Sequence, residues 1–191
     1  MFGGGGFGIE VIEYFYETYN KLDYKIVGII DEHKNNINEF KNYNNNDLIH
    51  YKSIEDTPIE NHKFLISVLD TNTRERVYKS LNSRKAEFIN LIHPKAYISS
   101  TAEIGNGIIV CPFAYVGPRS RILNNAVLNI QSTVGHDSII GQSSFLGPGS
   151  RVNGSGKCGK KCFLGTNSVI NVNVSLGENS KLSMGSVLTK D

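Results

Sequence analysis

The chain has 191 residues, enough for one or two small domains, and sets 20 Lys and Arg against 18 Asp and Glu, a formal charge of +2. So slight an excess gives no polyanion-binding balance and points away from nucleic acid. No apolar run approaches the roughly 20 residues of a membrane span, nothing after Met1 reads as a signal peptide, and three cysteines in no framework pattern suit a reducing cytoplasm.

Phe2 to Phe7 reads FGGGGF with Gly8 following, and Gly3, Gly5 and Gly8 meet the GxGxxG spacing that opens a helix after a strand. Only Met1 and Phe2 precede the glycines, so the strand expected there is almost absent. A helix is expected from Ile9 to about Asn20, with Ile9, Val11, Ile12, Phe15 and Tyr19 on its apolar face. Lys25 to Ile30 reads as a buried strand ending at Asp31, about where a carboxylate meets a ribose in dinucleotide folds. Glu32 to Asp47 is asparagine-rich and aperiodic, and reads as loop. Phe64 to Leu69 reads as a strand. Thr73 to Leu81 reads as a helix with Arg74, Glu75 and Lys79 on its polar side, and Ala86 to Leu91 as another strand before the break at His93-Pro94. Residues 1–92 therefore read as a small Rossmann-like βαβ domain with room for only half of a nicotinamide fold. A glycine turn at a helix N-terminus suits a phosphate or a sugar-nucleotide diphosphate; a tight turn with no ligand is the plain alternative.

From Ile98 an aliphatic or Cys158 side chain recurs every six residues, through Ile104, Val110, Val116, Ile122, Leu128, Val134 and on to Leu188. The residue two before is nearly always small, as at Ala114, Ser132, Ser150 and Ser168, and the residue after is often glycine. Positions two apart on a strand share a face, so both face one interior, and the glycines are expected to turn the corners. Three hexads close a triangular coil of 18 residues, which makes residues 93–191 a parallel β-helix. The spacing leaves its hand open. Cys158 and Cys162 fall at interior positions and are expected to be packing residues.

His136 is the one histidine beyond residue 98, and it lies two residues past Val134, at a corner. One histidine cannot supply the roughly three that a zinc hydratase site uses, so no metal is expected. A surface histidine is the bland reading. The sharper one is a general base, with Asp137 raising its basicity and fixing its tautomer. One coil on from His136 stands Gly154, whose backbone N–H would be a donor to a developing oxyanion. One coil back from Asp137 stands Arg119, expected within ion-pair range of it. Gly154 to Lys160 resembles a P-loop by letters only, since Lys161 replaces the Ser or Thr and the stretch lies inside the hexads. Lys157, Lys160 and Lys161 form a basic cluster, read as a solvated face or as a contact for coenzyme A phosphates.

Both halves together resemble bacterial sugar acetyltransferases of the sialic-acid O-acetyltransferase-like and nucleotide-aminosugar N-acetyltransferase type. The resemblance rests on GGGGFG, Asp31, NLIHPKAYIS from Asn90, Asn129, VGHDSIIG from Val134, and NGSGKCGKKCFLGTNSVI from Asn153. It implies a left-handed β-helix, a homotrimer, and acetyl-CoA in the groove between neighbouring coils. It further implies His136 as base supported by Asp137, and Gly154 on the thioester oxygen with Gly165, Thr166 and Lys157 on acetyl-CoA. Asn129 would lie near the acceptor sugar, and Gly3, Gly5, Gly6, Phe7 and Asp31 at the nucleotide end. The chain departs from the pattern at Phe7 and Phe145, where some members carry histidine, and in lacking a Gly-x-Pro-Ala-Lys ending, which suggests truncation or a disordered tail. The expected activity is acetyl transfer from acetyl-CoA to the amine of a nucleotide-linked amino sugar for surface-glycan synthesis. O-acetylation of a sialic acid or glycan hydroxyl, and a non-catalytic sugar-nucleotide-binding scaffold, are the alternatives.

Overall fold

The structure is a computed structural model and describes residues 1–19, 24–32, 40 and 48–191. The loop expected from Glu32 to Asp47 lies almost wholly outside the described residues, as does the end of the first helix at Asn20; Phe40, which is described, is helical and buried.

The first part is a parallel sheet with helices. Helix α1 (Gly6–Tyr19) leads to strand β1 (Gly28–Ile30), which pairs with β2 (Ile49–Tyr51). Further on, β3 (Lys63–Phe64) pairs with β4 (Glu87–Phe88) across helix α2 (Thr71–Ser83). Phe2 joins the two pairs, bridging Ile30 on one side and Ile66 on the other, all parallel. A two-residue lead suffices as the central strand because its N–H and C=O groups bond both neighbours: Phe2 N–H to Leu65 O, and Ser67 and Ile30 N–H to Phe2 O and Met1 O. Strand β2 was not expected; its three residues are half-exposed and show no apolar run.

Helix α2 starts at Asp70, whose carboxylate accepts the Thr73 N–H at 2.7 Å, an N-cap that satisfies one orphan donor. Its expected polar side is corrected by the structure. Arg74 is fully buried, donating to Ile66 O, Val68 O, Asn125 O and Asn125 Oδ1, and Glu75 is 5% exposed. They face inward because the coil offers them polar partners there, which a helical-wheel reading of an isolated segment does not contain.

The second part is a three-sided coil of two-residue strands, in sheets of five, six and six. It begins at β5 (Leu91–Ile92), one hexad before Ile98, so the expected boundary at residue 92 falls on a strand already paired with Ile109–Val110. Every partner lies 18 residues away: Thr133 opposite Arg151, Val134 opposite Val152. The aliphatic ladder and the small residues form one continuous core. Cys158 and Cys162 lie in it, 1% and 0% exposed.

The corners are built differently from the expectation. The left-handed angle falls three residues after the aliphatic one, at Asn125, Asp137, Asn167, Asn173 and their equivalents. From Gly105 on, each corner is a four-residue turn with a positive angle at its third residue, a place that tolerates Asn and Asp as well as Gly. The glycines that follow the aliphatic residue serve close stacking instead. A Cβ on Gly135 would lie 2.6 Å from Gly154 N, and one on Gly117 would lie 2.9 Å from His136 N.

The α/β part packs on one side of the coil. Phe7 meets Phe145 edge-on at 6.4 Å, and Phe145 stacks on Phe163 at 5.1 Å. Phe145 and Phe163 belong to one sheet, with Val127 and Ile109 in the same outward row. Helix α2 reaches the adjoining corner, where Glu75 accepts from Gln142 and Ser143 and pairs with Lys160 at 2.7 Å. The start of the coil is tied to α1 by buried His93, whose Nε2 lies 2.7 Å from Glu17 Oε2 while Nδ1 accepts the Lys95 N–H.

Candidate active site

His136 and Asp137 are the second and third residues of the turn from Thr133–Val134 to Ile139–Ile140. A side chain at such a corner cannot enter the prism, and the His136 side chain is 60% exposed. Its Nδ1 lies 2.7 Å from Asp137 Oδ2. Arg119, one coil back on the same corner, grips Asp137 with both arms, Nε to Oδ1 at 2.7 Å and Nη2 to Oδ2 at 2.8 Å. The expected ion pair is therefore present. Arg119 first, then His136, hold the Asp137 carboxyl well below its usual range, at about 2. An ionised carboxylate only accepts, so the neutral imidazole carries its proton on Nδ1 and offers a lone pair at Nε2.

Nε2 faces the next coil. A Cβ on Gly154 would lie 2.6 Å from it, so only a glycine leaves the ring this seat. Gly154 is itself buried, and its N–H has no acceptor among the described residues. A basic nitrogen thus stands beside a free backbone donor, the pair of features that acyl transfer to a nucleophile requires.

The other expected residues are placed as follows. Asn129 sits at a different corner, 6% exposed, and its side-chain oxygen accepts the N–H of its own neighbour Ile130. Gly165 and Thr166 lie two coils further along that same corner. Lys157 is exposed on the strand after Gly154, while Lys160 and Lys161 are drawn to Glu75 and Asn72 of α2. One chain does not gather all of these into one place.

Gly3 to Phe7 line a cleft of about 470 Å³ with Asp31, Ser67 and Asp70. It opens at the carboxyl ends of the parallel strands, where open α/β sheets bind ligands. Asp31 Oδ2 accepts the Gly4 N–H at 2.7 Å, and a Cβ on Gly4 would stand 2.3 Å from that oxygen. Phe7 turns its ring into the core, 8% exposed, so it borders the cleft without presenting its side chain fully to it. Sequence reasoning missed Arg76, which lines the cleft and pairs with Glu32 at 3.1 Å; no motif in the surrounding sequence marks it. A larger cavity of about 850 Å³ lies at the amino ends of the same strands, beside Met1, Val27 and Lys63, away from both glycine loop and imidazole.

Among the described residues no three His, Cys, Asp or Glu gather at metal-binding distance, and no helix is long and apolar enough to cross a membrane.

Comparison with known proteins adds to this geometry. Residues 157–190 match a family described as the hexapeptide repeat of succinyl-transferase. No curated protein sequence matches. Among solved structures, a histidine-to-asparagine variant of perosamine N-acetyltransferase from Caulobacter crescentus, in complex with CoA and GDP-perosamine, aligns over 100% of this chain and 87% of its own. The TM-score is 0.86 at 21% identity. The acetyltransferase domain of PglB from Neisseria gonorrhoeae aligns over 100% and 90% at TM-score 0.86 and 20% identity. WeeI from Acinetobacter baumannii aligns over 100% and 90% at TM-score 0.85 and 24% identity. The coil is thus a left-handed β-helix, with the family match confined to its residues 157–190.

Proposed function

We propose that this chain is an acetyltransferase that moves the acetyl group of acetyl-CoA onto the amine of a nucleotide-linked amino sugar, in surface-glycan synthesis. The observation that carries the reading is the His136 imidazole, Nδ1 held by Asp137 and Nε2 over Gly154. Whole-chain likeness to an N-acetyltransferase in complex with CoA and GDP-perosamine supports it, as does that to the PglB domain in complex with acetyl-CoA.

In this reading the neutral amine nitrogen attacks the thioester carbonyl carbon. His136 Nε2 takes the proton that the nitrogen sheds, and Gly154 N–H donates to the oxyanion. The C–S bond then breaks, the amide forms, and the imidazolium returns its proton to the CoA thiolate. A positioned base contributes about 10² to 10⁴ in rate and an oxyanion donor roughly 10² to 10³.

The α/β part, to about residue 90, serves as a Rossmann-like sugar-nucleotide module. Its glycine loop at the start of α1 takes the diphosphate, and Asp31 takes the nucleoside end. This module packs on the sheet that bears Phe145, whereas His136 lies at the corner between the other two sheets. One chain's cleft and its own imidazole therefore stand on opposite sides of the prism. A second copy has to bring His136 to the cleft, and a homotrimer supplies three such sites. Acetyl-CoA runs along the coil past Gly154, with Lys157, Gly165 and Thr166 as contacts from one protomer or the next, and Asn129 toward the sugar. Three buried free thiols and an acetyl-CoA substrate suit the cytoplasm.

The test is product analysis with acetyl-CoA and UDP-, GDP- or dTDP-linked amino sugars beside their hydroxy analogues. Amide product from an amino sugar supports the reading. Ester from the hydroxy analogue alone moves the activity to O-acetylation, and no CoA release with any acceptor leaves a binding scaffold.

A further inference from the structure

We infer that Arg119 is a positioning residue for His136: its guanidinium fixes the Asp137 carboxylate so that the imidazole is held as the Nδ1–H tautomer with Nε2 toward Gly154. This rests on the proposed role of His136 as base.

Four observations carry it. The fork is bidentate, at 2.7 and 2.8 Å, which fixes the carboxylate plane as a single hydrogen bond cannot. The oxygen that Arg119 Nη2 holds, Oδ2, is the same one that meets His136 Nδ1 at 2.7 Å, so moving the guanidinium moves the imidazole's partner. Arg119 and Asp137 both sit at left-handed corner positions, φ 55° and 60°, one above the other, and so project from the coil side by side. Finally, backbone bonds tie the stack: Arg119 N–H to Thr101 Oγ1, Asp137 N–H to Pro118 O, and Ser155 N–H to His136 O.

The charge of the guanidinium matters as well as its shape. An uncompensated carboxylate would stabilise the imidazolium and keep the base protonated. With Arg119 in place the Asp137 carboxylate is paired on both oxygens, at 2.7 and 2.8 Å. The other charged groups around this corner stand on the flanking strands: Arg151 on one side, and Lys157, Arg121 and Glu103 on the other. Arg121 and Glu103 are paired with each other at 3.2 Å.

The test is ¹⁵N NMR of the imidazole, assigned by loss of its signals in His136→Asn, across pH 5 to 9 in wild type, Arg119→Lys and Arg119→Gln, with kcat/KM over the same range. Wild type should show the Nδ1–H tautomer. Arg119→Gln should show mixed tautomers and titrate at higher pH. Its kcat/KM should fall about tenfold at neutral pH, a part of the roughly 10² to 10⁴ that a positioned base supplies. Its acid limb should move up in pH, and KM for acetyl-CoA should hold. Arg119→Lys keeps the charge without the fork, so it should recover the titration but not the full tautomer bias. Wild-type tautomer and titration in Arg119→Gln would overturn the inference. The NMR readout needs no turnover: a shifted tautomer in a protein that never transfers acetyl would leave the positioning intact and remove the enzymatic reading.

Discussion

His136 Nε2 stands over Gly154, at 2.6 Å from the place where a Cβ on that glycine would be. The nearest atoms to that Cβ are all in the His136 ring, which can swing outward, so the fold can absorb a methyl but the site cannot. Gly154→Ala should therefore cut kcat about tenfold or more, within the range that a positioned base controls, while thermal melting stays near wild type. Gly135→Ala is the contrast. Its methyl would meet the backbone of Asn153 and Gly154, so it should lower the melting temperature outright. Calorimetry beside steady-state kinetics separates the two.

Glu75 gives a pH dependence with a definite sign. Burial pushes its carboxyl up, but hydrogen bonds from Lys160, Gln142 and Ser143 outweigh that and bring it down to about 2. A depressed folded pKa means the contribution is fully present above the unfolded value near 4.3 and is lost as pH falls toward about 2. It is worth on the order of 2 to 3 kcal/mol. Melting temperature should fall between about pH 4.5 and 2, and Glu75→Gln should flatten that slope while lowering stability at neutral pH. The Lys160 contact is stronger than the Lys79 one, at 2.7 against 3.4 Å, so Lys160→Met should reproduce more of the effect than Lys79→Met.

Arg74 joins α2 to the coil through neutral acceptors. Burial lowers its pKa to about 9, which still leaves a cation at neutral pH. Arg74→Met would strip the donor from Ile66 O, Val68 O, Asn125 O and Asn125 Oδ1 together. The expected loss is at least about 3 kcal/mol, or roughly 6 to 12 °C in melting temperature. A melt unchanged within a degree would show that the junction does not depend on this side chain.

Ser132, Ser150 and Ser168 stack one coil apart inside the prism, and their hydroxyls have no partner among the described residues. The position asks for small size, not polarity. Ser150→Ala should therefore leave stability unchanged or raise it by up to about 1 kcal/mol of relieved desolvation, with a melting temperature equal to or above wild type. A marked fall would show that the hydroxyls are bonded inside the coil.

The coil was legible because one interior imposes one period. Each of Val116, Val134 and Val152 needs a small residue two before it and a partner eighteen away, so a stacking rule placed Arg119 beside Asp137 and Gly154 beside His136. The inward turn of Arg74 and Glu75 was illegible for the opposite reason. Their partners Asn125, Ser143 and Lys160 lie dozens of residues away on another part of the chain, and no local pattern carries that information. Strand β2 was missed because three half-exposed residues show neither alternation nor an apolar run. The glycines after each aliphatic residue were read as turn formers when their reason is backbone contact between coils, which appears only once the coils are stacked. Asn129, named through resemblance, sits on a different corner from His136, and nothing local to either residue shows that separation.

The central claim is that His136 removes a proton in acetyl transfer. Its most direct test is CoA release from acetyl-CoA with a nucleotide-linked amino sugar, followed for wild type and His136→Ala at equal melting temperature. The account predicts a loss of about 10² or more in kcat/KM, recovering with no other single side chain. Wild-type turnover by His136→Ala would contradict it.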